Sequence, residues 1–146
     1  MIPIIISAAL FITPAQAVEA RTVAAVTQAA VIPAEWQEFQ ECVADRESSG
    51  SYTAQNPTSS AQGKYQFLDS NWREGGAWNV YKRLIKHGAT RKEANRIRLV
   101  LRQAPIKTWR PKYQEILFAE VLLSGEGKGW AHWYLAGSRC NRLAVR

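Results

Sequence analysis

One stretch limits the fold of this chain more than any other: Ile116-Leu117-Phe118-Ala119, followed by Val121, Leu122 and Leu123. Pro111 suits the first turn of a helix and Gly125 its end. A helix that is apolar on nearly every side has to be covered on every side, so it belongs in the middle of a domain. The other segments must supply that cover.

They read mostly as helices. Glu35 to Ser48 predicts one, with Glu35, Glu38 and Glu41 in its early half and Gly50 past its end. Ser51 to Lys64 is turn chemistry with room for a short hairpin, and no convincing strand run occurs anywhere. Asp69 or Ser70 is expected to cap a short helix that stops at Gly75-Gly76, and Ala77 to His87 reads as a separate helix closed by Gly88. Thr90-Arg91-Lys92-Glu93 has the form of a capping box and opens a helix to about Gln103, ended by Pro105. The expected fold class is therefore mainly α: a small helical domain with a buried central helix and at most a short β-hairpin.

Ile2 to Ile12 is almost wholly apolar, and Pro14-Ala15-Gln16-Ala17 offers small residues for cleavage after Ala17. The run falls short of the roughly 20 residues a bilayer span needs. Residues 1–17 are thus expected to be an export signal, 18–33 an Ala/Val-rich linker, and 34–146 the domain. The only cysteines are Cys42 and Cys140. In an oxidising compartment such a pair is expected to bond and tie the chain's end to the helix that begins at Glu35, the alternative being two buried thiols. Cysteines and histidines lie in unrelated contexts and suggest no metal site.

The net charge of +7 lies wholly after residue 18. Lys82, Arg83, Lys86, Arg91, Lys92, Arg96, Arg98 and Arg102 crowd one region. They read first as solvated helix faces and second as a patch for peripheral contact with an anionic cell wall. No nucleic-acid fingerprint is present.

Glu47 carries the chemical interest. Trp36, Phe39, Val43 and Glu47 share one helix stripe, at spacings of three, four and four. A carboxyl among apolar neighbours such as Phe39, Tyr65 or Trp72 resists ionisation, as a general acid requires; the alternative is a glutamate near a helix end held by an arginine. Arg46-Glu47-Ser48-Ser49-Gly50, Asn56-Pro57-Thr58-Ser59-Ser60-Ala61, Gly63-Lys64-Tyr65-Gln66-Phe67 and Trp72 together resemble the lysozyme-like soluble lytic transglycosylases, in the variant of resuscitation-promoting factors. Tyr113-Gln114-Glu115-Ile116, Ala119-Glu120-Val121-Leu122, Gly125, Gly129-Trp130 and Cys140 resemble the C-terminal half of that domain. The resemblance covers about Trp36 to Cys140. One departure is that Cys42 stands five residues before Glu47, where that family usually has cysteine directly before the glutamate.

The resemblance implies an α+β lysozyme-like domain that cleaves peptidoglycan glycan strands, with Glu47 as acid/base and Tyr65 and Gln66 in the sugar groove. It also implies the Cys42–Cys140 bridge. Trp72 is the best stacking candidate and Ser60 a further substrate contact; His132, between Trp130 and Trp133, reads first as structural and second as a residue that could reach the groove. Glu120 falls on the buried helix, where a carboxylate needs partners, and reads as an internal support. With no evident second catalytic carboxylate, a single-acid mechanism is expected, acting on the MurNAc–GlcNAc β-1,4 bond without metal or organic cofactor, in a secreted monomer. The rival readings are a catalytically weak wall-binding or signalling module of the same fold and a basic membrane-active protein.

Overall fold

The structure, a computed structural model, describes residues 12–144. Of the expected export signal, Met1 to Phe11 lies outside the described residues. The described part is mainly helical: α1 (Pro14–Ala29), α2 (Gln37–Ser48), α3 (Asp69–Lys86), α4 (Arg91–Leu101), α5 (Pro111–Leu123) and α6 (Arg139–Ala144). One antiparallel hairpin, β1 (Ala61–Gln62) and β2 (Phe67–Leu68), pairs Ala61 with Leu68 and Gln62 with Phe67. No helix among the described residues is long and apolar enough to cross a membrane.

The central helix is α5. Ile116, Leu117, Phe118 and Ala119 are wholly buried. The Trp133 ring lies on Phe118 at 4.5 Å between centroids, and Tyr65 stacks on the same ring at 4.2 Å. α1 and α3 also pack on this helix. Burying a side chain of this size contributes about 1.5–3 kcal/mol, so this layer dominates the core.

Three expectations about local structure are revised. Within residues 18–33, expected as an Ala/Val-rich linker, the chain is helical as far as Ala29 and buries Ala25 and Ala29. Its start is set by a capping box, in which the Thr13 hydroxyl accepts the Gln16 amide while the Gln16 side chain accepts the Thr13 amide. Pro14 follows at the first turn, where its missing N–H costs nothing. The C-terminal end of α1 is pinned by the buried Arg83, whose Nε donates to Ala29 O at 2.5 Å and Nη2 to Val31 O at 3.0 Å.

The second correction is Gly75-Gly76, which does not break a helix; α3 continues through it. A Cβ on Gly76 would lie 3.0 Å from Leu117 Cδ2, so glycine here lets α3 approach α5 closely. Asp69 is not a cap either. It is the first residue of α3 and is buried, pairing with Arg73 and accepting the Ile106 amide at 2.9 Å.

Thr90 caps α4 as expected, accepting the Glu93 amide at 3.2 Å. Cys42 and Cys140 form a disulfide across a separation of 98 residues, joining α2 to α6. Such bridges persist in oxidising compartments.

Candidate active site

Glu47 stands in the last turn of α2. Ser49 takes the left-handed conformation (φ 53°) and Gly50 follows it (φ 78°), so the chain leaves the helix abruptly and the final turn opens onto a cleft. The Ser48 hydroxyl donates to Lys64 O at 2.7 Å and ties this turn to the hairpin loop.

The cleft has a volume of about 400 Å³. Arg46 and Glu47 line one side, and Tyr65, Gln66, Phe67, Leu68 and Trp72 line another. His132, Trp133, Tyr134 and Leu135 complete it. The structure therefore brings together five residues singled out from sequence: Glu47, Tyr65, Gln66, Trp72 and His132.

Each keeps its own setting. Trp72 is half-buried and meets His132 edge-on at 5.4 Å and Phe67 at 5.3 Å. Gln66 adopts φ 52° and donates from its side chain to Gly63 O at 3.0 Å. Tyr65 is buried, and its hydroxyl donates to Glu115 instead of standing free in the cleft. Ser60 is not among the lining residues; its hydroxyl shares a 2.9 Å hydrogen bond with Ser70 at the base of the hairpin. Glu120 also lies away from the cleft, 3.6 Å from the buried Arg83, which lashes α5 to α3. Burial lowers the Arg83 pKa, opposed by the Glu120 charge.

Glu47 is not surrounded by apolar groups alone. Its side chain is 27% exposed, and Oε1 accepts from Arg46 Nε at 2.9 Å and Nη2 at 2.5 Å. Oε2 accepts no hydrogen bond from any described residue. Arg46 is itself fixed, donating to Trp133 O at 2.7 Å and to the Ser138 hydroxyl at 3.0 Å. This clamp joins α2 to the same C-terminal segment that the disulfide holds. Glu47 is the only carboxylate among the described residues that line the cleft. Asp45, on the other side of α2, is 75% exposed. The rim is exposed and apolar: Tyr134 is 60%, Leu135 54% and Leu68 41% exposed.

Sequence reasoning allowed for an arginine on Glu47 but missed that Arg46 also clamps Trp133 and Ser138, and it missed Tyr134 and Leu135 as rim. It also missed Glu115, a carboxylate behind the hairpin loop that gathers four donors. The aromatic run Trp130 to Leu135 signalled the rim; the role of Glu115 had no local signal. Among the described residues no group of three or more histidines, cysteines or carboxylates is arranged to hold a metal ion.

A 30-residue segment, 20% of this chain, is 63% identical to a protein of Staphylococcus haemolyticus described as "Probable transglycosylase SceD". The match spans 13% of that relative's length. No family model matches the chain, and no solved structure matches it. What the match supports is a short transglycosylase-like segment within a small, mainly helical domain.

Proposed function

We propose that the chain is an exported peptidoglycan-cleaving enzyme, acting on the MurNAc–GlcNAc β-1,4 bond as a lytic transglycosylase. One observation carries the reading: a lone carboxylate, Glu47, lines a cleft with aromatic walls and an apolar rim. The flat C–H faces of sugar rings suit such walls. The transglycosylase-like segment supports the same class of reaction. The disulfide and the apolar N-terminal run support export.

Because Arg46 holds Oε1, the proton moves on Oε2. Oε2 gives it to the bridging oxygen, the bond from that oxygen to the muramyl C1 breaks, and the GlcNAc-side sugar leaves with its hydroxyl. Arg46 steadies the carboxylate formed. The substrate's own acetamido group stabilises the cationic C1, doing the work of the second carboxylate used in most glycosidases. Oε2 then takes the proton of the muramyl C6 hydroxyl as its oxygen bonds to C1. The product is a 1,6-anhydro ring, and Glu47 is protonated again. Neither a metal nor an organic cofactor takes part.

The test is Glu47→Gln. Release of soluble muropeptides from purified cell wall is expected to stop, with the denaturation midpoint little changed; release at the wild-type rate refutes the reading. A second reading, a wall-binding module with little turnover, is favoured by the Arg46–Glu47 ion pair, which occupies one carboxylate oxygen. It predicts co-sedimentation with wall and no soluble product from the wild-type protein.

A further inference from the structure

Glu115 takes no part in the chemistry above, yet four donors converge on it. Tyr52 and Tyr65 donate their hydroxyls, Gln40 Nε2 lies at 2.6 Å, and Lys64 Nζ at 2.9 Å. These come from α2, from the turn after it and from the hairpin loop, whereas Glu115 is on α5. Its side chain is 13% exposed.

The loop residues it grips build the cleft with their other atoms. Lys64 O accepts the Ser48 hydroxyl, one residue from Glu47. Tyr65 O accepts the Trp133 indole N–H at 3.1 Å. Gln66 lines the cleft directly.

We propose that Glu115 is a positioning residue for the Glu47 cleft, acting through the loop of residues 63–66; the inference rests on the function proposed above. A carboxylate suits this site because all four bonds to it are donated, one of them by the Lys64 ammonium, which cannot accept. An ionised carboxylate accepts at both oxygens, whereas an amide accepts at one only and puts its NH2 against one pair of these groups, so that pair must rearrange or lose bonds. Burial pushes the Tyr65 hydroxyl above its ordinary value and the Glu115 charge pushes it further, so it remains a donor. Burial alone would lower Lys64, but its hydrogen bond and charge interaction with Glu115 outweigh that and keep the ammonium charged.

The experiment compares wild type, Glu115→Gln and the milder Tyr52→Phe, well below their melting temperatures. Amide hydrogen exchange reads the loop without reference to activity, and muropeptide release from purified wall reads the cleft. In Glu115→Gln, exchange at Gly63, Lys64 and Gln66 is expected to rise by at least about tenfold, with the amides of Leu117 to Val121 nearly unchanged. Tyr52→Phe, which removes one donor, moves the same loop amides by about threefold or more. Turnover in Glu115→Gln is expected to show kcat reduced about tenfold or more with KM within about threefold, because the turn carrying Glu47 is displaced while the rim remains.

An unmoved loop, a rise spread equally over α5, or a loosened loop with wild-type kcat each overturns the proposal. Where wild type cleaves wall and Glu115→Gln cleaves it equally well, only the role of Glu115 falls. Where wild type itself releases nothing, the functional reading falls and takes the proposal with it.

Discussion

Gly63→Ala puts two separable costs on the cleft loop. Gly63 has φ +76°, a left-handed conformation that costs a residue with a Cβ roughly 1–2 kcal/mol. The new Cβ would also stand 2.3 Å from Gln114 Oε1. Gln114 cannot easily yield, because it is 1% exposed and fully engaged. Its Oε1 accepts the Lys64 amide at 3.0 Å, and its Nε2 lies 3.0 Å from Tyr52 O, 3.1 Å from Ile106 O and 3.2 Å from Trp109 O. Each buried bond left unmade costs about 1–3 kcal/mol. Losing one of them brings the expected total to about 2–5 kcal/mol. Gly50→Ala isolates the first cost, since Gly50 has φ +78° but a Cβ there would meet nothing within 4 Å. Urea denaturation with an m-value of about 1–3 kcal/mol per M should put the Gly63→Ala midpoint about 0.7 M or more below wild type. The Gly50→Ala midpoint should fall less than half as far. Equal shifts in the two variants, or a loss under about 1 kcal/mol at Gly63, would refute the reasoning that Gln114 is a fixed wall behind the loop.

Reducing the Cys42–Cys140 bridge, which spans 98 residues, is expected to cost about 2–5 kcal/mol in the same denaturation assay, and a midpoint that ignores reductant contradicts this. The Tyr65 hydroxyl, raised by burial and then by Glu115, keeps a proton in the folded protein that the unfolded chain releases. Stability is therefore fully present below about pH 10 and declines above it, by up to about 1.4 kcal/mol per unit from this group, and Tyr65→Phe should decline less steeply between about pH 10 and 11.5. A protein beginning at Val18 loses the Thr13–Gln16 capping box and should be destabilised by only about 1 kcal/mol. One beginning at Ala34 deprives Arg83 of the Ala29 and Val31 carbonyls and uncovers α3 and α5, so it should lose about 3 kcal/mol or more, as read by urea midpoints.

How much of this was legible depended on whether the signal was local. The central helix announces itself through Ile116 to Leu123, and Thr90 with Glu93 marks the start of α4, because both patterns lie within a few residues. Gly75-Gly76 reads locally as a break. It is helical because Gly76 packs under Leu117, a contact between segments distant in sequence. α1 was missed because Ala and Val in its stretch mark no face, although Thr13-Pro14-Ala15-Gln16 carried its capping box in plain view. For the cleft, Glu47, Gln66 and Trp72 follow from motif and stripe. Glu115 does not, since its partners Gln40, Tyr52 and Lys64 lie 51 to 75 residues away. Arg46 was a neighbour in sequence, but its clamp on Trp133 and Ser138 depends on how α6 is tied back to α2.

The most direct measurement is a mass spectrum of purified cell wall digested with wild type and, in parallel, with Glu47→Gln. The account predicts soluble disaccharide-peptides from wild type whose muramyl ends are one water lighter than hydrolytic ends, and none from Glu47→Gln. Equal product from both proteins, or no product from wild type, would contradict it.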